Sequence, residues 1–259
     1  MIDFPYSAAG FAVGAVVGLT GVGGGSLMTP LLVLGFGVAP LTAVGTDLLF
    51  AGITKAGGAI GHGLKGHVDL RVTGLLAAGS VPGAAASIAV LALLPPASAE
   101  TRMVVSMALG TMLVLTAISL LFRARLLAWA RNRGTAQLSP RRRDAATIAV
   151  GGLIGVAVTF SSVGAGAVGV TALLLLFPAL ATVRIVGSDI AHAVPITLLA
   201  GAGHAAMGNV DYALLASLLA GSLPGILLGT LLAARIPEGA LRASLAAVLL
   251  LAGGKLVFA

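Results

Sequence analysis

Gly18-Leu-Thr-Gly-Val-Gly-Gly-Gly-Ser-Leu-Met-Thr-Pro30 decides how the rest of the chain reads. Four of the five residues from Gly21 to Gly25 are glycine, yet strongly apolar sequence lies on both sides. Glycine is the least favourable helix residue after proline, so a helix arriving from Phe11 breaks here. In lipid a broken backbone is tolerated only where protein or a water-filled cavity surrounds it. A glycine break at membrane depth therefore points to a binding site. A sparser copy, Ser161-Ser-Val-Gly-Ala-Gly166, appears in the second half of the chain.

The lipid setting follows from composition. Of 259 residues, 58% are hydrophobic and 9% charged, against roughly 25% charged in soluble domains. Apolar stretches of helix length recur throughout, each longer than a barrel strand requires, which defines a polytopic α-helical membrane protein. The absence of cysteine excludes disulfides, thiolate chemistry and thiolate metal sites. The first residues include Asp3 and nothing basic, so no cleavable signal peptide is expected. The formal charge is +7, but seven arginines lie between Arg123 and Arg143 without an acid, and the other eight basic residues match the eight acidic ones. A short basic loop between membrane helices is the positive-inside signal, which puts residues 123–144 in the cytoplasm. Contact with anionic headgroups of the bilayer is a secondary expectation, and nucleic-acid binding is not expected.

Helices are expected over 4–20 and, after the break, in a short piece over 26–37. At about 1.5 Å per residue that piece reaches about 18 Å, short of a hydrocarbon core of about 30 Å. It is a half-helix or one limb of a re-entrant hairpin. Full helices follow over 41–60, 72–94 and 102–122. The pattern then restarts with 145–160, the second break, a short piece over 167–177, and full helices over 183–202, 212–234 and 240–258.

Three motif pairs share one offset, 142 residues. Val44-Gly-Thr-Asp47 matches Val186-Gly-Ser-Asp189, and Gly61-His62…Gly66-x-Val68-Asp69 matches Gly203-His204…Gly208-x-Val210-Asp211. Ala78-Gly-Ser-Val-Pro-Gly83 likewise matches Ala220-Gly-Ser-Leu-Pro-Gly225. The expected fold is an all-α polytopic membrane protein of two inverted-topology repeats, each a glycine-broken short helix pair plus three full transmembrane helices. Residues 1–122 form the first repeat, 123–144 the basic cytoplasmic loop and 145–259 the second repeat. Three or five crossings per half, both odd, invert the second repeat and leave the termini outside. Loop charges agree, since Lys65 and Arg71 flank the first Gly-His turn and its copy meets no Lys or Arg before Arg235.

Two half-helix starts meeting near the midplane make an anion site from backbone donors. Its expected members are Gly23, Gly24, Gly25 and Ser26 with Ser162, Gly164 and Gly166; the bland alternative is a helix crossing without a ligand. Asp47 and Asp189 sit about one turn into the third segment of each half, beside Thr46 and Ser188. An ionised carboxylate at a helix centre costs at least about 2.5 kcal/mol unless paired or hydrated. These four residues either line a pathway or simply cap a helix start.

Lys55 lies mid-helix, with Thr197 in the matching place. Inversion brings it to the level of Asp189 and His192, where the three pair or gate the inner pathway unless Lys55 snorkels to the interface. His192 replaces Phe50 and reads as a proton relay or as a satisfied core histidine. His62, His67 and His204 read as interfacial turn residues. No metal site or cofactor is expected, because the sequence holds no i, i+4 histidine pair or carboxylate cluster. Glycines every four residues, at Gly79/Gly83 and Gly221/Gly225/Gly229, read as close helix packing and leave room for a homodimer.

With these motifs in place, the chain resembles the TauE/SafE family of sulfite exporter-like membrane transporters. The resemblance rests on the 18–30 stretch, on Val44-Gly-Thr-Asp-Leu-Leu-Phe-Ala-Gly-Ile-Thr-Lys55 and on the two Gly-His…Val-Asp motifs. It covers nearly the whole chain outside the arginine loop. It implies a bacterial inner-membrane carrier, not an enzyme, for sulfite or small organosulfonate anions. The reading is a transporter working by alternating access, with a proton as the conceivable coupling ion. Thr46, Asp47, Ser188, Asp189 and His192 line or gate its path and Lys55 supplies positive charge. The runner-up is a channel, or a carrier for a carboxylate or metal ion. An intramembrane enzyme using His62/Asp69 and His204/Asp211 is disfavoured, because inversion puts those clusters on opposite membrane faces.

Overall fold

Backbone groups in lipid have no water to bond, so the chain satisfies them within helices. A computed structural model describes residues 3–20, 25–95, 98–133, 139–164, 166–232 and 238–258, and among them no strand is present. The first half contains α1 (Phe4–Thr20), α2 (Gly25–Pro30), α3 (Pro40–Leu64), α4 (Leu70–Leu93) and α5 (Ala99–Arg133). Helix α2 runs on as a π-helical turn over Leu31–Gly35. The second half contains α6 (Pro140–Ser161), α7 (Ala167–Leu176), α8 (Thr182–Ala206), α9 (Tyr212–Leu232) and α10 (Glu238–Phe258). Helices α4, α6, α8, α9 and the Ala99–Phe122 part of α5 are long and apolar enough to cross a membrane. The expected helical fold class holds, short pieces included.

Some boundaries differ. Residues 123–133 and 140–144, expected within a loop, instead extend α5 and open α6. Arginine, leucine and alanine are strong helix formers, and Pro140 suits a first helical turn, so charge moves this stretch out of lipid without unwinding it. Helices α3 and α8 run to Leu64 and Ala206, which places His62 and His204 in last helical turns rather than in the turns beyond. Gly23, Gly24, Pro96, Ala165 and Arg235 lie outside the described residues.

The repeated Gly-His…Gly-x-Val-Asp motif is a helix stop joined to a helix start. Gly66 and Gly208 take φ of +67° and +76° just past the helix ends. The N–H of His67 bonds the His62 carbonyl and that of Asn209 bonds the His204 carbonyl, both at 2.9 Å, closing a Schellman cap. Asp69 then accepts from the N–H groups of Arg71 and Val72, and Asp211 from those of Ala213 and Leu214. Each aspartate thereby satisfies the open donors at the start of α4 or α9.

The second repeated motif docks on the first, across the halves. The Asp211 N–H donates to Thr46 Oγ1 at 3.0 Å, and the Asp69 N–H donates to Ser188 Oγ at 2.7 Å. A Cβ on Gly45 would stand 2.3 Å from the Asn209 carbonyl oxygen, and one on Gly187 2.3 Å from that of His67. Only glycine admits the opposing turn at this distance.

Elsewhere α1 packs chiefly on α9, α4 on α6, α3 on α8 and α5 on α10. Under the repeat, α1 corresponds to α6 and α4 to α9, so the first two pairs are copies and the last two join each helix to its own counterpart. This is the contact pattern of a two-fold exchange. Buried Leu48, Leu76, Leu173 and Ile185 fill the core on one side of α3, and Met28, Leu32, Phe50 and Leu218 fill it on the other.

The exchanged pairs depend on bare backbone. A Cβ on Gly79 would lie 1.8 Å from the Ile148 carbonyl oxygen, and one on Gly221 1.8 Å from that of Ser7. Gly79→Val or Gly221→Val therefore forces two helices apart, and overpacking costs about 1–3 kcal/mol or more. Thermal unfolding in detergent should show a lowered midpoint for both. Gly74→Ala, whose new carbon meets nothing within 4 Å, should melt as the parent does.

Candidate functional site

Asp47 follows Thr46 in the second turn of α3 and is 0% exposed. The Thr29 hydroxyl of α2 donates to its Oδ2. From the second half, Ser162 faces the same carboxylate. Beyond that contact, Asp47 Oδ1 and Ser162 Oγ are buried without a hydrogen-bond partner. Ser162 ends α6 with φ of +57°, a left-handed conformation that costs a non-glycine residue about 1–2 kcal/mol. Helix α2 and the end of α6 thus converge on a carboxylate.

Asp189, the copy of Asp47, is 1% exposed and meets a different surface. Its Oδ1 would stand 2.3 Å from a Cβ on Gly169, so the carboxylate lies against bare backbone in the first turn of α7. That end of a helix carries partial positive charge. Half-buried Lys55 interacts electrostatically with Asp189 foremost and with Asp47 second. The Lys55 field also reaches His192. His192 is fully buried, with Nε2 2.7 Å from Ser80 Oγ and Nδ1 without a partner. One residue of the first half therefore links two carboxylates and a histidine.

The remaining site residues separate into two groups. Gly25 and Ser26 start α2, with Ser26 buried, while Gly164 and Gly166 take φ of +127° and +128° in the second break. Thr46 and Ser188 are buried in the cross-half docking described above, their hydroxyls accepting backbone N–H groups. His204 departs from its expected place in an interfacial turn. It is buried in α8, with Nε2 3.0 Å from the Thr159 carbonyl oxygen.

Thr29, Gly169 and Ser80 escape a reading of the sequence. Thr29 precedes Asp47 by the same 18 residues that separate Thr171 from Asp189, which is a usable signal in hindsight. The copy differs, however, because the Thr171 hydroxyl bonds the Ala167 carbonyl of its own helix. Among the described residues no group of three or more His, Asp or Glu is arranged to hold a metal ion.

Known proteins fit this picture of a multi-pass membrane protein. The family described as sulfite exporter TauE/SafE matches residues 6–256. The chain is 39% identical over 248 residues to probable membrane transporter protein YjnA of Bacillus subtilis (strain 168), covering 96% of this chain and 97% of that one. Another Bacillus subtilis protein, probable membrane transporter protein YdhB, is 27% identical over 249 residues, covering 96% and 97% of the two chains. No solved structure matches.

Ser162 separates strain from chemistry. Ser162→Gly relieves the left-handed backbone and removes an unpartnered hydroxyl, so the melting midpoint in detergent should rise by the equivalent of about 1 kcal/mol. Ser162→Ala removes the hydroxyl but keeps the strain, and should not gain that stability. Both should reduce transport in proteoliposomes, which ties the loss to the hydroxyl rather than to the backbone.

Proposed function

The chain belongs to the sulfite exporter TauE/SafE family of membrane proteins, and we propose that it carries small sulfur-containing anions across a bacterial plasma membrane by alternating access. The observation that carries the reading is Lys55, within electrostatic reach of a carboxylate from each half, one of which lies against the start of α7. An anion entering there meets the lysine charge and the positive end of the half-helix together. Charges in a membrane interior are costly and serve substrate or ion pathways.

The two-fold exchange of helices supports two inverted repeats that rock about a shared centre. Its breaking supports an access path from one side. Thr197 and His204 on α8 are buried, whereas their counterparts Lys55 and His62 on α3 are partly exposed. The path thus opens along the second half of α3.

Charge favours the cytoplasm for that end. Arg71 pairs with Asp144 at 2.7 Å and Arg184 with Asp69 at 3.4 Å, tying together the starts of α4, α6 and α8. With Lys65 and Arg141 to Arg143 nearby in the chain, this end obeys the positive-inside rule and leaves the termini outside.

Purified protein in proteoliposomes tests the reading with sulfite, thiosulfate, a small sulfonate and acetate, with and without a pH gradient. A sulfur anion should move saturably, and Lys55→Ala should slow it by about tenfold or more, equivalent to about 1.4 kcal/mol. Absence of saturable flux for every sulfur anion, or unchanged flux in Lys55→Ala, overturns the proposal.

A further inference from the structure

Asp47 and Asp189 occupy equivalent places in the two halves but have opposite surroundings. Asp189 lies at the first turn of α7 and takes the larger share of the Lys55 interaction. Asp47 faces Ser162, the residue that ends the 22-residue helix α6, where partial negative charge collects. A buried carboxylate at the negative end of a helix calls for a cation. Lys55 is shared between it and Asp189.

The oxygens around Asp47 are arranged to receive one. Ser162 interacts with the Asp47 carboxylate, and beyond that contact neither Asp47 Oδ1 nor Ser162 Oγ has a hydrogen-bond partner although both are buried. The Thr29 hydroxyl donates its proton to Oδ2 and retains lone pairs. Asp189 Oδ1 is likewise buried without a hydrogen-bond partner, but there Thr171 turns its hydroxyl to the Ala167 carbonyl instead of to the carboxylate. The side-chain donor set is all oxygen, which selects a hard cation, and a single carboxylate matches a single positive charge. A broken helix at membrane depth is where transporters seat such ions.

We infer that Asp47, Ser162 and Thr29 form a binding site for a sodium ion. Sodium there neutralises Asp47 and leaves the Lys55 charge to Asp189 and the carried anion, so loading the cation prepares the pathway for the anion. The site does not depend on which anion is carried.

Binding of radioactive sodium to the purified full chain in detergent, by scintillation proximity and with no sulfur anion present, tests the inference. Wild type should bind sodium saturably, with unlabelled sodium displacing the label and choline not doing so. Asp47→Asn should abolish binding and Ser162→Ala should weaken it by about tenfold, while Gly74→Ala, whose new carbon meets nothing within 4 Å, should bind as wild type does. If Asp47→Asn does not elute as a single folded species, Ser162→Ala and Thr29→Val decide the matter. Wild type without saturable sodium binding, or either hydroxyl variant and Asp47→Asn binding at full strength, overturns the site. Sulfur-anion flux is read separately, so failure here is distinct from failure of the transport reading.

Discussion

Two hydroxyl groups hold the halves in register. Thr46 and Ser188 each accept the backbone N–H of the aspartate that caps a helix of the other half. In lipid no hydrophobic force presses helices together, so packing at bare backbone and interhelical hydrogen bonds set their relative height. Gly45 and Gly187 admit the opposing turn, and the neighbouring hydroxyl fixes it. The next residue along is Asp47 or Asp189. Successive helical residues point about 100° apart, so the hydroxyl faces the docked turn while the carboxylate faces the break. The lock therefore sets the depth at which each acid enters the centre.

A symmetric frame then carries unlike chemistry. Phe50 in the first half is His192 in the second, where it bonds Ser80. Lys55 is matched by Thr197, whose hydroxyl bonds backbone within its own helix. Thr29 reaches Asp47, while Thr171 reaches only its own helix. Repeats of this kind share a scaffold through the motifs that dock and differ through single side chains facing the centre. The docking motifs are therefore the ones that recur at a fixed offset, and the central residues are the ones that do not.

That division explains what the sequence could disclose. Helix count and the short pieces follow from composition and one-dimensional spacing, and the family from the resemblance of its motifs. Lys55 and the two aspartates stand out because charge is rare in apolar sequence. The exchange of partners between halves does not appear in spacing, because contacts such as Thr46 with Asp211 join residues 165 apart. For the same reason the backbone N–H groups that Thr46 and Ser188 accept from the opposite half are not visible in the sequence. His204 read as a turn residue because Gly203 beside it suggested a helix end, yet Gly208 provides the stop. The arginine stretch read as a loop because its charge marks the edge of the membrane, and a helix crosses that edge without difficulty when its residues favour helix.

The break between α6 and α7 is where the two acids diverge. Within the few residues from Ser161 to Ala167 the chain presents the negative end of one helix and the positive end of another. Each end alters the stability of a nearby charge by about 0.3–1 kcal/mol at a surface and up to about 2 kcal/mol when partly buried. Asp189 lies against the positive end and Asp47 against the residue closing the negative end. Identical carboxylates, placed by identical locks, thus meet different ends of the broken helix. At Asp189 the start of α7 and Lys55 both supply positive charge. One broken helix is sufficient to give a two-fold molecule two different central sites.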